Sequence, residues 1–167
     1  MGIRDFPQST PTSKKENDPF WKKFHHALLG IRVKEGYLVG FAFAGYYLFW
    51  GGNFDKKTRF DFLVEQNRQK IFVEVKNVTL FRGAKTAEFP DAITSRGSKH
   101  LLTLINAIKK GYKTYILFLV QIQKMKNFKI AKDIDNDYYE NYLIAKKAGV
   151  NFLAYRCKIN SKEIKIE

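Results

Sequence analysis

Two alternating runs stand near the middle of the chain, Arg59-Phe60-Asp61-Phe62-Leu63-Val64-Glu65 and, beyond Gln66-Asn67-Arg68-Gln69-Lys70, Ile71-Phe72-Val73-Glu74-Val75-Lys76-Asn77-Val78-Thr79. Alternating runs of β-forming residues on both sides of a short polar segment predict a β-hairpin. Because side chains alternate across a strand, we expect Ile71, Val73 and Val75 on one face and Glu74 and Lys76 on the other.

Asp61 is the acid of the first run, and alternation predicts that it faces away from both Phe60 and Phe62. It can then lie beside Glu74 and Lys76 of the second strand. Two carboxylates next to an ammonium group suit a hard divalent cation and phosphodiester chemistry. An Asp followed by Glu-x-Lys on adjacent strands resembles the kernel of the PD-(D/E)xK nuclease fold. The alternative is a surface hairpin with solvated charges, since this spacing is common.

Charge dominates the composition. The 167 residues include 30 Lys and Arg against 16 Asp and Glu, a formal net charge of +14. Such an excess favours polyanionic partners, DNA first and acidic membrane second, although solubility or a lysine-rich genome would also explain it. The length predicts one domain with a modest N-terminal addition, and a hydrophobic content of 45% suffices for one core.

Cysteine usage and the N-terminus predict a cytoplasmic protein. Cys157 is the only cysteine, so an intramolecular disulfide is excluded, and a buried inert thiol is favoured over a nucleophile. The first residues show no apolar signal-peptide core. Residues 36–53 carry no charge, but five glycines interrupt them and the apolar run is short for a spanning helix. We interpret this segment as β structure and disfavour membrane contact.

The remaining patterns predict a mixed α/β order. We expect a flexible tail at residues 1–17, a helix at 19–29, and strands at 31–33 and 37–50 with a turn at Gly51-Gly52-Asn53. After the hairpin come a loop at 80–89, a helix to about residue 110, a strand at 112–120, and a helix from Asp135 to Gly149. Strands at 150–159 and 163–166 follow. The predicted fold is a mixed β-sheet flanked by helices.

Several stretches jointly resemble one family. By them the chain is identified as a member of the sugar fermentation stimulation protein family, with the similarity covering residues 54–167. The stretches are Arg59-Phe60-Asp61-Phe62-Leu63, Val73-Glu74-Val75-Lys76-Asn77-Val78-Thr79-Leu80, Phe89-Pro90-Asp91-Ala92-Ile93-Thr94 with Arg96-Gly97, Lys99-His100-Leu101 and Ala154-Tyr155-Arg156-Cys157.

The resemblance implies an N-terminal OB-type barrel joined to a C-terminal PD-(D/E)xK, restriction-endonuclease-like domain. It also implies DNA binding and a regulatory part in sugar (maltose) metabolism. Too few residues precede the hairpin for a complete barrel plus the nuclease domain's opening helix and strand. We therefore predict a divergent, partial or truncated segment at residues 18–53 and the nuclease-like domain at residues 54–167; a truncated or rearranged gene product stays open.

The predicted site follows from the kernel and the resemblance. Asp61, Glu74 and the backbone carbonyl of Val75 are expected to bind Mg²⁺ or Mn²⁺, and Lys76 to orient the attacking water or stabilise charge on the phosphate. We expect further substrate contacts near this kernel and at the N-terminus of the following helix. Those candidates are Asn77, Thr79, Thr94, Arg96, Lys99 and His100. The alternatives are that Thr94 or Ser95 only caps the helix and that His100 is structural.

The basic residues are scattered over loops and chain ends, and no helix carries them at groove-reading spacing. Binding to DNA is therefore expected to be mostly to the backbone, weakly sequence-specific and steeply salt-dependent. Two functions remain open at this point, a metal-dependent nuclease and a catalytically silent DNA-binding regulator. Homo-oligomer formation also stays open.

Overall fold

A computed structural model describes residues 42–43, 46–54, 58–66, 68–83, 85–159 and 164–166. The predicted tail at 1–17, the helix at 19–29, the strand at 31–33 and residues 36–41 and 44–45 of the uncharged segment lie outside these ranges. The division of the chain at residues 18 and 54 therefore stays a prediction.

The described residues form ten strands and two helices, which we number in chain order. The strands before the first helix are β1 (Ala42–Phe43), β2 (Tyr46–Asn53), β3 (Arg59–Gln66), β4 (Gln69–Val78), β5 (Leu80–Phe81) and β6 (Thr86–Phe89). The remaining elements are α1 (Ser95–Lys109), β7 (Lys113–Val120), β8 (Asn127–Ile130), α2 (Asn136–Ala148), β9 (Asn151–Ile159) and β10 (Ile164–Ile166).

The main sheet has seven strands in the order β1-β2-β3-β4-β7-β9-β10. Strands β1 to β4 are antiparallel, β4, β7 and β9 are parallel, and β10 returns antiparallel to β9. Each parallel pair needs a crossover, and α1 and α2 supply the two crossovers. A second sheet has the order β5-β6-β8. The predicted mixed α/β fold is confirmed.

Two loop predictions are wrong. The segment Gly51-Gly52-Asn53 is not a turn, because β2 continues to Asn53 and Gly52 pairs with Phe60 of β3. The turn comes later, where the Phe54 N–H donates to the Thr58 carbonyl at 3.0 Å. Glycine is a poor strand former, but the β3 partner strand supplies the pairing that local propensity does not.

Residues 80–89 are also not a simple loop, since β5 and β6 lie within them. These short strands gain their partner from β8, which the sequence analysis did not predict. Arg82 joins this small sheet to the loop before α2, since it pairs with both Glu88 and Asp133. Strands of two to four residues show no periodicity of their own, so only tertiary pairing reveals them.

The core lies on both faces of the main sheet. On the helix side, Phe72, Val78 and Phe118 pack with Leu101 and Leu104 of α1. The opposite face carries a smaller buried cluster, formed by Phe62, Val64, Ile71, Val73, Tyr115 and Leu117. Strands buried on both faces read as continuous apolar runs, which is why β7 was predicted correctly.

Asp135 fixes the relation between the two helices. It is the N-cap of α2, where its carboxylate accepts the Tyr138 N–H at 2.8 Å. The other carboxylate oxygen accepts the Thr94 N–H at 2.7 Å, and Thr94 in turn caps α1 through Gly97. One buried acid therefore positions the start of both helices. The predicted cap at Asp135 and the helix end at Gly149 are confirmed, and of the two candidate caps for α1 the structure selects Thr94 over Ser95.

Within the described ranges, no helix is long and apolar enough to cross a bilayer.

Replacing Asp135 tests this double cap. Asp135→Ala should lower the free energy of unfolding by about 2–3 kcal/mol, because one cap is lost and two backbone N–H groups lose their acceptor. Urea denaturation measures the change. The neighbouring exposed Asn136→Ala is the matched control, and an equal effect from both variants would contradict the assignment.

Candidate functional site

The site begins where β3 separates from β4. The β3–β4 ladder runs from Gln66 and Gln69 to Phe62 and Val73. Beyond it, β4 continues to Val78 beside β7.

At this fork the Asp61 carboxylate accepts the Val75 N–H at 2.8 Å, replacing a strand partner with a side chain. The Val75 carbonyl lies on the same edge of β4 as its N–H, so it also faces the fork.

The expected facing of Asp61 is wrong in one respect. Phe60 packs with Phe72 on the helix side of the sheet, with ring centroids 5.3 Å apart, whereas Phe62 belongs to the cluster on the opposite face. Asp61 therefore does not lie opposite to both phenylalanines. Regular alternation fails at the point where the pairing of β3 with β4 ends, between Phe62 and Asp61.

Glu74 is the centre of the site. It is buried on the helix side of β4, with 3% of its surface exposed. Its Oε1 accepts a hydrogen bond from Lys76 Nζ at 2.7 Å and is in hydrogen-bond contact with His100 Nδ1. Its Oε2 is also buried and has no hydrogen-bond partner among the described residues. One oxygen is thus held by two cationic or polar groups, and the other remains available.

The pKa values of the Asp61 and Glu74 carboxylates are shifted in opposite directions. Burial raises the pKa of Asp61, and the Val75 N–H offsets this only in part while the charge of Glu74 adds to it. For Glu74, burial also opposes ionisation, but the hydrogen bond with His100 and the charge of Lys76 outweigh it and lower the pKa. Glu74 is therefore anionic at neutral pH, and Asp61 is the carboxylate whose ionisation is more easily reversed.

His100 comes to the site from α1. Its ring lies against Glu74 and makes an edge contact with Phe60, with centroids 6.2 Å apart. The charge of His100 lies within reach of Asp61 as well. Sequence spacing placed His100 on the helix but could not show which face it occupied or that it would contact Glu74.

The other predicted substrate-binding residues lie in several separate places. Thr94 caps α1, and Arg96 and Lys99 are exposed along the same helix. Asn77 alternates with Lys76 and so faces away from it, and its side-chain oxygen accepts from Gln121 at 3.2 Å. Thr79 is exposed beyond the end of β4. The structure therefore brings His100 to the kernel and keeps Asn77 on the opposite face.

Sequence reasoning missed Tyr138. This tyrosine of α2 is fully buried, its hydroxyl has no partner among the described residues, and Phe89 packs against its ring at 5.3 Å. Burial raises the pKa of Tyr138, and the nearby charge of Glu74 adds to that rise. The only sequence signal was its position three residues after the Asp135 cap.

The donor set fits a cation that keeps water ligands. No group of three or more His, Cys, Asp or Glu side chains suited to a metal occurs in the described part of the chain. The candidate donors are the Asp61 carboxylate, the Val75 carbonyl, and Oε2 of Glu74, which has no partner among the described residues; the charge of Glu74 acts on Asp61. Magnesium is commonly bound by one or two carboxylates plus waters and substrate phosphate, so these oxygens fit it.

Comparison with known proteins identifies the family of this chain. A family model described as the sugar fermentation stimulation protein RE domain matches residues 51–163. The chain belongs to the sugar fermentation stimulation protein family. The expectation from the sequence is confirmed on this point.

Individual family members show the extent of the similarity. The homologue from Pelagibacter ubique is 82% identical over 114 residues, covering 68% of this chain and 49% of the relative. That from Clostridium beijerinckii is 40% identical over 111 residues, covering 66% and 49%. The chain thus spans about half the length of these curated relatives.

A solved structure shares the fold. It is described as Pyrococcus furiosus SfsA in complex with Ca²⁺, and it is 29% identical with a TM-score of 0.67. The match covers 74% of this chain and 54% of that one.

Titration of the two carboxylates tests the electrostatic description. By ¹³C NMR, Asp61 should titrate above and Glu74 below the ordinary values of their residue types. In Glu74→Gln the pKa of Asp61 should fall, because a neighbouring negative charge is removed. In His100→Ala the pKa of Glu74 should rise, because its strongest stabilising hydrogen bond is lost. Asp137→Asn, a change at an exposed position of α2, is the control variant and should leave both pKa values unchanged. Unchanged values in both Glu74→Gln and His100→Ala would disprove the coupling.

Proposed function

We propose that this domain binds DNA, holds Mg²⁺ or Mn²⁺ between Asp61 and Glu74, and hydrolyses phosphodiester bonds. The observation that carries the proposal is the free, buried Oε2 of Glu74 beside the Asp61 fork. A buried carboxylate oxygen without a partner is costly, and a cation ligand is a common reason for it. The Ca²⁺ complex of the Pyrococcus furiosus relative supports a divalent ion at this fold.

In this proposal, each residue of the site has a distinct role. Asp61 is held by the Val75 N–H so that it presents its second oxygen at the fork. His100 and Lys76 keep Glu74 ionised, and Lys76 can also stabilise negative charge on the phosphate. When bound, the cation supplies polarisation of the phosphoryl oxygen and a lowered pKa for its water. Hydrolysis forms a bond from the water oxygen to phosphorus and breaks the bond from phosphorus to the leaving oxygen. The attacking water gives up one proton, and the leaving oxygen takes up one.

The basic surface supports DNA as the substrate. No acid occurs between Asp91 and Asp133, while the same stretch carries nine lysines and arginines. Arg96 and Lys99 of this stretch are exposed on α1, Arg96 one turn before His100 and Lys99 directly before it. Positive charge beside the kernel favours a polyanion and would hold its backbone near Glu74.

A second candidate is a catalytically silent DNA-binding regulator in sugar (maltose) metabolism. The direct ion pair of Lys76 with Glu74 favours it, because a lysine engaged with a carboxylate is less available to phosphate. Cleavage assays separate the two functions, since only the first requires turnover.

Cleavage should depend on both the metal and Lys76. With Mg²⁺ or Mn²⁺, the protein should cut at least one of a set of single- and double-stranded DNA and RNA substrates, and EDTA should abolish cutting. Lys76→Ala should reduce the rate about a hundredfold or more, because one charge-stabilising donor is removed.

Lys158→Ala, an exposed lysine of β9, should cut like the wild type. Metal-dependent cutting that persists undiminished in Lys76→Ala would contradict the site. DNA binding without any cutting by the wild type would favour the silent regulator.

Binding should show little sequence preference. Unrelated duplexes of equal length should bind within about threefold of one another at low salt, because contacts to phosphate carry no base information. Affinity should fall steeply with salt, with a slope of about −0.9 for each phosphate contacted. Fluorescence anisotropy at several salt concentrations measures both. A strong preference for one operator sequence would count against backbone binding.

A further inference from the structure

We propose that a second subsite for nucleic-acid phosphate lies at the C-terminal end of α1, in a shallow cavity of about 440 Å³. The residues that line this cavity are Arg68, Gln69, Lys70, Gly111 and Tyr112. The inference rests on the proposed function and extends it, since it states where a bound strand runs after it leaves the Asp61–Glu74 site.

Positive charge converges on this cavity from two parts of the chain. The β3–β4 turn contributes Arg68 and Lys70, which line the cavity, and the end of α1 contributes Lys110, whose Nζ lies over the Phe54 ring that packs against Tyr112. These segments meet because β4 and β7 are parallel and begin side by side, with Ile71 paired to Lys113.

Neutralising groups around the cavity are few. Glu65 pairs with Lys70 at 3.3 Å, and within the described ranges no ion pair engages Arg68 or Lys110. The C-terminus of α1 contributes about half a negative charge. Among the described residues, three cations against one carboxylate and half a charge leave a positive excess. Neutralising the partial negative charge at the C-terminus of α1 therefore does not alone explain why these basic residues lie together.

Ring contacts connect the cavity to the site. His100 contacts Phe60 at 6.2 Å, Phe60 contacts Phe54 at 6.1 Å, and Phe54 contacts Tyr112 at 6.2 Å between centroids. Lys110 Nζ lies over the Phe54 ring, 4.5 Å from its centroid, so a positive charge lies beside this series of rings. The rings of His100 and Tyr112 are therefore no further apart than about 19 Å.

This separation suits one continuous strand. With a rise of about 3.4 Å per nucleotide, a span of up to 19 Å corresponds to about five or six nucleotides. A strand of that length or longer can reach from the kernel to the cavity, whereas a shorter one occupies only one of them. Simultaneous occupation makes the second contact intramolecular and raises affinity.

A length series tests the subsite. Single-stranded DNA of 4 and 12 nucleotides is titrated by fluorescence anisotropy in the presence of Ca²⁺, with gel electrophoresis to confirm that the strands stay intact, for the wild type and the double variant Arg68→Gln/Lys70→Gln, which changes two residues that line the cavity. The wild type should bind the 12-mer much more tightly than the 4-mer. In the double variant this length advantage should fall about tenfold, and the salt slope for the 12-mer should decrease by about 1.4 for two lost phosphate contacts.

The matched control is Lys147→Gln/Lys158→Gln, which removes the same charge from exposed positions on α2 and β9. It should keep the length advantage. If the two double variants behave alike, only the general charge matters and the subsite is overturned. If metal-dependent cutting is normal but the length advantage is unaffected by Arg68→Gln/Lys70→Gln, the subsite alone fails. If the wild type binds neither oligonucleotide at low salt, both the proposed function and the subsite are contradicted.

Discussion

The site depends on the way a buried carboxylate is kept ionised. An unpaired carboxylate in the interior would take up a proton or cost several kcal/mol. Lys76 and His100 prevent this at Glu74 by sharing one oxygen, which leaves the second oxygen without a partner. The fork between β3 and β4 provides the space, because Asp61 replaces the missing strand pairing at Val75.

The position of His100 in turn depends on distant contacts. His100 reaches Glu74 only if α1 lies at a fixed height over the sheet, and the N-terminus of α1 is held through Thr94 to Asp135. Gly97 is required in that first helical turn, since a Cβ there would come within 2.9 Å of the Thr94 side chain and 3.0 Å of the Tyr138 ring. The caps of two helices and the ionisation of Glu74 are thus parts of one arrangement, which links stability to the chemistry of the site.

Sequence patterns predicted the parts of this arrangement that are local. Alternation placed Glu74 and Lys76 opposite Ile71 and Val73 on β4, and capping chemistry placed the helix start at Asp135. The failures arise where tertiary pairing overrides local preference, as in the two glycines inside β2, the short strands β5, β6 and β8, and the fork at Asp61. The contact of His100 with Glu74 also required the helix to be placed on the sheet, which the spacing of apolar residues in α1 does not determine.

Charge is distributed so that the acids of the described residues are largely used inside the fold. Asp61 and Glu74 occupy the site, Glu88 and Asp133 hold Arg82, and Asp135 caps α2. The exposed cations therefore create a field with little local compensation, which attracts polyanions. At the kernel itself, however, two carboxylates repel phosphate, and Lys76 and His100 offset that repulsion only in part. A divalent cation would reverse the balance, so cation and phosphate should each increase the affinity of the site for the other, by reciprocal linkage.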